Sequence, residues 1–289
     1  MKNMLIVGCG DIGKRVAKLC VKSEWSVIGL VRSVTSMSRL QQAGIKAYQI
    51  GPDSKKVLAE LPVRKSTILY LAPPPSEGDT DPFIRQFLSA LSEDALPEKL
   101  VLLSTTAVYG DCQGDWITET HMANPQTSRG LRRLDAEQVV QKWSGDMGVS
   151  IVILRVGGIY GTGRLPIERI KKSMPILHEA DSPFTNRIHQ DDLAQVCVAA
   201  AERGKASEVY NVSDGQPSTM SKYFKEIARV FDLPLPPEVS LEEAEKVMSA
   251  GMLSYLKESR RLDNGKMRRE LCVALQYADL AEGLAEDKG

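Results

Sequence analysis

The feature that most constrains this chain is a glycine-rich turn directly after its first apolar run. Met4-Leu5-Ile6-Val7 is followed by Gly8-Cys9-Gly10-Asp11-Ile12-Gly13, which has the spacing G-x-G-x-x-G, and helical spacing of apolar residues begins there. The glycines of such a turn allow a tight bend, bare backbone beside a phosphate, and close approach of helix to strand. The phosphate then lies at the helix N-terminus. The sequence therefore predicts a strand, a turn and a helix that bind a dinucleotide.

Short β-rich runs alternate with helical runs through the first half of the chain, which is typical of a parallel sheet. The runs with strand composition are residues 5–7, 27–31, 46–50, 67–72, 100–104 and 150–155. The runs with helical spacing of apolar residues are 12–21, 83–91, 131–143 and 193–201. We predict an α/β fold with a Rossmann doubly wound parallel sheet of at least six strands.

The pattern changes after the last of these strands, where a glycine-rich loop and a mainly helical tail follow. Residues 208–212 have strand composition and would return to the sheet. We predict that residues 1–160 and 187–214 form the nucleotide-binding domain. Residues 161–186 and 215–289 would form a smaller, discontinuous, mainly helical substrate lobe.

Composition excludes several classes of partner. The 37 basic and 37 acidic residues cancel, so there is no electrostatic basis for binding nucleic acid. The first apolar run is too short for a signal peptide, and no stretch is long enough to span a membrane. The five cysteines form no C-x-x-C pair, which indicates neither a zinc site nor a disulfide framework. We expect a cytoplasmic protein that binds a small molecule and no metal.

The end of the second strand indicates which dinucleotide is preferred. NAD-binding proteins usually place Asp or Glu there to bind the ribose 2′-hydroxyl, but this chain has Arg32 and Ser33. A cation and a hydroxyl suit a 2′-phosphate, so we predict NADP in preference to NAD. The alternative is that Arg32 is a solvated residue at a strand end. Asp53, after the third strand, could face the adenine or cap the next turn.

Five segments in this order resemble the extended short-chain dehydrogenases/reductases, the branch that contains NAD-dependent epimerases and dehydratases of nucleotide sugars. They are the glycine turn and residues 103–110, 154–161, 186–194 and 210–215. The resemblance implies an NAD(P) cofactor and a substrate cleft. With the motif, it gives as expected cofactor-binding residues Gly8, Gly10, Asp11, Ile12, Gly13, Arg32, Ser33, Asp53, Leu71, Ala72, Pro73, Arg155, Val156 and Gly157.

The Tyr-x-x-x-Lys pair that does the chemistry in this family is absent. No tyrosine lies between Tyr109 and Tyr160, and Lys142 is the only lysine in that interval. The resemblance places the two positions at Arg129 and Arg133. Because a guanidinium stays protonated at neutral pH, Arg129 cannot replace the tyrosine as proton donor, whereas Arg133 could hold the nicotinamide ribose.

Three residues are candidates for catalysis: Thr105, Arg133 and Asp81. The resemblance aligns Thr105 with a Ser/Thr that binds the substrate oxygen, and places Asp81 near an asparagine that supports the lysine. Alternatively, Thr105 satisfies backbone groups in the next turn and Asp81, before a proline, caps a helix.

Four residues are candidates for substrate binding: Arg129, Tyr109, Arg187 and Arg261. Arg129 with a neighbouring arginine of the same helix suits an anionic substrate, or forms a solvated basic face. Tyr109 or Tyr160 could replace the missing acid, or pack at a strand end. Arg187 and Arg261 resemble family positions beside the substrate diphosphate, or form buried ion pairs.

Two functional hypotheses follow. The first is an NAD(P)-dependent oxidoreductase or epimerase/dehydratase-like protein that acts on a polar substrate such as a sugar nucleotide. The second is a catalytically disabled sensor or regulatory protein that binds NADP(H) without turnover. A homodimer through the helix at 131–143 is also expected from the resemblance.

Overall fold

The computed structural model describes residues 2–51 and 54–288. Its central sheet has seven strands, all parallel, and confirms the predicted α/β doubly wound fold. The strands of this sheet are β1 (Asn3–Val7), β2 (Ser26–Val31), β3 (Lys46–Gln49), β4 (Ser66–Tyr70), β5 (Lys99–Thr105), β7 (Ser150–Val156) and β12 (Glu208–Val212). Shorter strands are β6 (Trp116–Ile117), β8 (Gly158–Tyr160), β9 (Ile176–Leu177), β10 (Phe184–Thr185), β11 (Arg187–His189), β13 (Ser218–Thr219), β14 (Glu238–Val239) and β15 (Arg261–Leu262).

Helices cover both faces of the sheet and form most of the tail. They are α1 (Asp11–Lys22), α2 (Val34–Gln42), α3 (Ser54–Ala59), α4 (Pro82–Ser89), α5 (Ser128–Met147), α6 (Ile167–Lys171), α7 (Gln190–Arg203), α8 (Met220–Val230), α9 (Leu241–Val247), α10 (Ala250–Leu256), α11 (Gly265–Leu271) and α12 (Leu280–Lys288). The four predicted helices correspond to α1, α4, α5 and α7. The sequence did not reveal α2, because Leu40 is its only buried residue and it therefore lacks an apolar stripe. None of the described helices is both long and apolar enough to cross a membrane.

The strands are apolar on both faces because each face is covered. Met4 and Ile6 of β1 pack in the core cluster that includes α1 and α7. Leu5 and Val7 point the other way, into the cluster that includes α4 and α5. Successive residues of a strand face opposite sides of the sheet, so a parallel strand between two helix layers is apolar throughout.

The strand order places a crevice at one edge of the sheet. The order is β12-β7-β5-β4-β1-β2-β3, so the chain builds outward from β1 to β3 and then returns to the other side of β1 with β4. In doubly wound sheets, ligands bind outside the carboxyl ends of the strands where the order reverses. Here that point lies between β1 and β4, directly at the glycine turn.

The segments predicted to form the substrate lobe are joined by short strand pairs. β10 pairs with β13 and β9 pairs with β14, which connects parts of residues 161–186 to the start of the tail. Ile170, Phe224 and Leu284 share a separate apolar cluster there. Helix α11 differs from this prediction, because its Met267 and Leu271 lie in the core cluster of the sheet. The tail therefore packs partly with the lobe and partly with the sheet.

Candidate cofactor and substrate site

The glycine turn has the geometry that its spacing predicts. Gly8 has φ +78°, and a Cβ there would lie 2.6 Å from backbone atoms of Ala72, after β4. A Cβ at Gly13 would lie 3.1 Å from Cys9 Sγ, whereas one at Gly10 would have only open space and a carbonyl at 3.9 Å. Gly8 thus allows the bend and the close approach to β4. Gly13 lets α1 pack against the strand, and Gly10 leaves bare backbone.

A cavity of about 500 Å³ lies beside this turn at the carboxyl ends of β1, β2 and β4. We call it the glycine-turn cavity. It is lined by Val7, Gly8, Cys9, Gly10, Leu30, Val31, Arg32, Ser33, Ser36, Ile50, Gly51, Ser54, Tyr70, Ala72, Pro73, Phe83, Gln86 and Phe87. Among these described residues none is acidic, and Arg32 alone is charged. Within the described part of the chain no side chain caps the N-terminus of α1, so its first N–H groups are available to an anion.

The end of β2 brings a cation and two hydroxyls to this cavity. The Arg32 guanidinium carbon lies 5.3 Å from the centroid of the Phe83 ring, and Gln49 donates a 2.9 Å hydrogen bond to the Arg32 carbonyl. Ser33 caps α2, since its Oγ accepts from the Ser36 N–H at 3.2 Å and donates to Ser36 Oγ at 2.9 Å. A positive side chain and a helix N-terminus therefore face the same space, which favours an anionic group.

A second cavity, of about 340 Å³, lies at the carboxyl ends of β5 and β7. We call it the arginine cavity. It is lined by Thr105, Thr106, Ala107, Arg129, Gly157, Gly158, Ile159, Arg164, Phe184, Thr185, Asn186, Arg187, Met220, Tyr255, Glu258 and Arg260. Its charged residues are four arginines and one glutamate, so the cavity is electropositive.

The arginine cavity brings together Thr105 and Arg129, the first a candidate for catalysis and the second a candidate for substrate binding. Thr105 ends β5, and its Oγ1 also accepts a 3.4 Å hydrogen bond from the Ala107 N–H, so both roles considered for it fit its position. Arg129, near the start of α5, donates to Glu258 Oε2 at 3.1 Å and lies 3.6 Å from the centroid of the Tyr255 ring. The guanidinium is therefore held by residues of the tail.

Two further predicted residues line the arginine cavity. Gly157 follows β7, and a Cβ there would lie 2.9 Å from the Asn186 carbonyl oxygen, so a larger residue would not fit. Arg187 begins β11 and extends along Gly158, where a Cβ would lie 2.5 Å from Arg187 Nη1. The lack of a side chain at Gly158 gives the guanidinium its path into the cavity.

Arg133 and Asp81 line neither cavity. Arg133 is half-buried and donates a 3.4 Å hydrogen bond to the Ala72 carbonyl, which places it at the carboxyl end of β4. Asp81 is fully buried and caps α4, where its Oδ1 accepts from the Phe83 and Ile84 N–H groups. Burial raises the pKa of Asp81, and the helix N–H groups and Arg133 lower it in part. Asp81 therefore takes the capping role considered for it, and its charge acts on Arg133 rather than on a substrate.

Arg155 and Tyr109 are core residues, which corrects their expected roles beside cofactor and substrate. Arg155 forms a buried ion pair with Glu137 at 2.8 Å, and its guanidinium carbon lies 4.7 Å from the centroid of the Tyr109 ring. Burial alone would lower the pKa of Arg155, but the hydrogen bonds and charge of Glu137 raise it. Tyr109 donates a 2.7 Å hydrogen bond to Asn211 Oδ1, and burial raises its pKa. Its hydroxyl proton is not available to a substrate.

Tyr160 and Arg261 are also held away from the cavities. Tyr160 is fully buried and donates to the Asp279 carbonyl at 3.2 Å, so neither tyrosine considered as a replacement acid reaches the site. Arg261 donates to the Gly114 carbonyl at 2.6 Å and lies 4.8 Å from the centroid of the Phe184 ring. The expected contact of Arg261 with substrate is corrected, because its guanidinium fastens the β6–β15 pair.

Five expected cofactor residues adjoin the turn or the sheet but line neither cavity: Asp11, Ile12, Gly13, Leu71 and Val156. Their contribution is through backbone and packing. The Asp11 carboxylate pairs with Arg164 at 3.2 Å and with Arg15 at 3.5 Å, so its charge is already balanced. Asp53 lies outside the described residues.

Sequence reasoning missed five charged or aromatic residues of the arginine cavity: Arg164, Phe184, Tyr255, Glu258 and Arg260. Glu258 accepts from both Arg129 and Arg260, at 3.1 and 2.9 Å. The only available signal was that Glu258 and Arg260 lie within three residues before Arg261, which had been considered for substrate binding. Nothing in the sequence indicated that α10 would lie over the start of α5.

Comparison with known proteins agrees with this fold. The model of the NAD dependent epimerase/dehydratase family matches residues 4–213. The protein YeeZ of Escherichia coli (strain K12) is 24% identical over 288 residues, which cover 96% of this chain and 97% of that protein. These matches extend across the glycine turn and the carboxyl ends of all seven sheet strands.

Solved structures share the same fold over almost the whole chain. A functionally unknown conserved protein from Silicibacter pomeroyi DSS superposes with a TM-score of 0.82 at 27% identity, covering 100% of this chain and 98% of that one. UDP-glucuronic acid 4-epimerase from Bacillus cereus, in complex with NAD, gives 0.78 at 19% identity, covering 99% and 97%. The resemblance to extended short-chain dehydrogenases/reductases is thereby confirmed. Because the family model spans most of the chain and the glycine turn has the matching geometry, this chain belongs to the NAD dependent epimerase/dehydratase family.

Proposed function

We propose that this protein is an NADP(H)-dependent oxidoreductase or epimerase-like enzyme that acts on a polar substrate in the arginine cavity. One observation carries the proposal: the glycine-turn cavity spans the point between β1 and β4 where the strand order reverses, and the arginine cavity follows at the ends of β5 and β7 on the same edge of the sheet. A dinucleotide bound across that point would have one nucleoside in each cavity. Membership of an epimerase/dehydratase family supports this placement.

The residues present fit such a cofactor. A Cβ at Gly10 would meet only a carbonyl oxygen at 3.9 Å, so the bare backbone there leaves room for a pyrophosphate, while Gly8 allows the tight bend against Ala72. Gly10 and the uncapped N-terminus of α1 would bind the phosphates, and Arg133, beside Ala72, would orient the second ribose. When bound, a nicotinamide cofactor supplies the donor or acceptor of a hydride. The protein itself supplies position, charge and exclusion of water.

The preference for NADP rests on the rim of the glycine-turn cavity. Arg32, Ser33 and Ser36 face it at the N-terminus of α2, and no described residue of its lining is acidic. A carboxylate there would bind a ribose 2′-hydroxyl, whereas a guanidinium and hydroxyls bind a 2′-phosphate.

Thr105 is proposed to polarise the reacting oxygen of the substrate. It is half-buried at the end of β5, lines the arginine cavity, and its hydroxyl can donate to a carbonyl or hydroxyl while accepting from the Ala107 N–H. Neither Tyr109 nor Tyr160 can give up a proton there. The reaction therefore differs from the tyrosine-dependent chemistry of the family in its proton donor.

The test is NADPH absorbance during incubation with nucleotide sugars and small carbonyl compounds, with calorimetric titration of NADP⁺ in parallel. We expect turnover with at least one compound, and a loss of about 100-fold in kcat for Thr105→Ala, the usual effect of removing one polarising donor. Thr118→Ala, at an exposed threonine outside the cavity, is the matched control. Tight NADP⁺ binding without turnover of any compound would contradict this function.

A second candidate function predicts NADP⁺ binding without turnover. A sensor of NADP(H) would keep the glycine turn and the Arg32 rim, yet would not need a proton donor. The paired state of Arg129 at the position that the family resemblance assigns to the tyrosine favours this alternative. If the protein is a sensor, Thr105→Ala would leave its affinity for NADP⁺ unchanged, and the NADPH absorbance would be constant for both proteins with every compound.

A further inference from the structure

Arg187 differs from the other arginines of the arginine cavity in having no acidic partner. Arg129 and Arg260 both pair with Glu258, and Arg164 pairs with Asp11 at 3.2 Å. Among the residues that the structure describes, no carboxylate oxygen lies within 4.0 Å of the Arg187 guanidinium. The cavity therefore contains one cation whose charge the protein does not balance locally.

The groups around Arg187 position it without neutralising it. Nη1 donates to the Asn186 carbonyl at 3.3 Å and Nη2 contacts Met220 Sδ at 3.6 Å. Its guanidinium carbon lies 4.1 Å from the centroid of the Tyr223 ring. Nε is buried and has no hydrogen-bond partner in the described part of the chain. The aromatic ring and the carbonyl fix the plane of the guanidinium, and several N–H donors stay free for a ligand.

A cation in this position is costly unless an anion joins it. Burial lowers the pKa of Arg187, and Tyr223 and Asp214 raise it only in part. Arginine nevertheless remains protonated in proteins, so the charge must be met by a counter-ion rather than lost as a proton. Glu258 cannot serve, because it is already shared by two other guanidiniums. Arg169 also has a buried Nε and no acidic partner among the described residues, but of the two only Arg187 lines the arginine cavity, where an anionic group of a ligand can reach it.

The size of the cavity limits that ligand. Cavities that bind small organic molecules range from roughly 300 to 1,000 Å³, and this one, at about 340 Å³, is near the lower end. In the proposed function, the same space also has to contain the nicotinamide end of the cofactor, because Thr105 and Gly157 lie at the ends of β5 and β7. Little volume remains for a substrate.

We propose that the substrate is a small organic acid whose carboxylate pairs with Arg187, rather than a nucleoside diphosphate sugar. A carboxylate matches the two parallel N–H donors of a guanidinium and can take the free donors of Arg187. This proposal rests on the proposed function in one respect, because it takes the nicotinamide end of the cofactor to fill part of the arginine cavity. The anion site itself consists only of residues of this chain.

The experiment is calorimetric titration of the full chain with pyruvate, acetoacetate, acetone and UDP-glucose, with and without saturating NADP⁺. We expect binding of at least one of the two carboxylates and none of acetone at the same concentration. Arg187→Gln should weaken carboxylate binding at least 10-fold, and Arg187→Lys should weaken it less, because the charge is kept while the paired donors are lost. Affinity for NADP⁺ should be unchanged in both variants.

Arg169→Gln is the matched control. Arg169 also contacts a carbonyl, a methionine sulfur and an aromatic ring, with a buried Nε that has no partner among the described residues, but it lies outside the arginine cavity. Equal weakening in Arg169→Gln and Arg187→Gln would overturn the proposal, as would binding of UDP-glucose but of neither carboxylate, or no binding of any probe. Failure of NADP⁺ to bind, with carboxylate binding intact and dependent on Arg187, would reject the proposed function and leave the anion site supported.

Discussion

The Arg155 guanidinium and the Glu137 carboxylate form a buried ion pair at 2.8 Å that joins β7 to α5 behind the arginine cavity. Ser104 donates a further hydrogen bond to the same carboxylate. Breaking a buried pair by removing one charge typically costs about 3–5 kcal/mol, because the remaining charge is left without a partner. We therefore expect Glu137→Gln to lower the free energy of unfolding by an amount in that range, measured by urea denaturation.

The control for this prediction is Glu242→Gln. Glu242 pairs with Lys246 on the exposed face of α9 at 2.7 Å, and exposed pairs contribute little to stability. Similar decreases in the free energy of unfolding of the two variants would show that the buried Arg155–Glu137 pair stabilises the fold no more than an exposed pair does.

The cofactor preference can be tested at Arg32. Arg32→Ala should weaken NADP⁺ binding by roughly 10- to 100-fold, which is the effect of losing a hydrogen bond to a charged group, and should leave NAD⁺ binding unchanged. Arg39→Ala provides the control, since Arg39 lies on α2 outside the glycine-turn cavity. Calorimetry with both dinucleotides measures the effect. Equal losses for NADP⁺ and NAD⁺ would show that Arg32 does not bind the 2′-phosphate.

The glycine turn offers a pair of variants with the same backbone strain but different surroundings. Gly8 and Gly44 both have positive φ, +78° and +75°, yet a Cβ at Gly8 would meet Ala72 at 2.6 Å whereas one at Gly44 would meet nothing within 4 Å. Alanine in a left-handed conformation costs about 1–2 kcal/mol at either position. Only Gly8→Ala should also abolish dinucleotide binding. Retained NADP⁺ affinity in Gly8→Ala would mean that the turn does not hold the cofactor.

Asp214 predicts a dependence of stability on pH. Burial raises the pKa of its carboxyl to about 7, while the Gln216 N–H and Arg187 lower it in part and Asp279 and Asp192 raise it. The pKa of an aspartate in the unfolded chain is about 4. Between these values the folded state holds a proton that the unfolded state has released, so this group makes stability fall as pH rises from about 4 to about 7.

Asp214→Asn should remove that decline. Urea denaturation of both proteins at intervals from pH 4.5 to pH 8 gives the difference between their free energies of unfolding. We expect this difference to grow by a few kcal/mol toward neutral pH and then to level off. The opposite slope, or an identical one in the two proteins, would contradict the raised pKa.

The expected homodimer can be tested on α5. Val139, Trp143 and Met147 line a groove of about 300 Å³ with Leu88 and Leu91 on the α4 side. If two copies pair through these helices, Trp143→Glu should shift the sedimentation velocity to that of a monomer. Gln141→Glu, which adds the same charge at an exposed position of α5, should not. A wild-type chain that sediments as a monomer at high concentration would rule the pairing out.

The fold was predictable because its signals are local and repeated. The strands β1, β4, β5 and β7 each contain at least three consecutive apolar residues, and α1, α4 and α7 each bury a regular set of apolar residues. The glycine turn was predictable for a related reason. Its three glycines meet their steric requirements within β1, α1 and the loop after β4, so the spacing alone specifies the geometry.

The candidate site was less predictable because its side chains depend on distant partners. Arg155 and Tyr109 stand near strand ends, as cofactor and substrate residues do, but Glu137 and Asn211 direct both into the core. Arg129 was considered either for binding an anionic substrate or as part of a solvated basic face, yet its partner Glu258 lies 129 residues later. Pairings across such separations leave no pattern of spacing in a single sequence.

The packing of α11 has a consequence for where this chain can be cut. Met267 and Leu271 are fully buried in the same core cluster as Leu193 of α7, although they lie more than fifty residues beyond the end of the family match. A fragment that ended at residue 213 would expose the apolar surface of α7 and β12 that α11 covers. We therefore expect such a fragment to be less stable than the full chain, although none of the described tail residues lines the glycine-turn cavity.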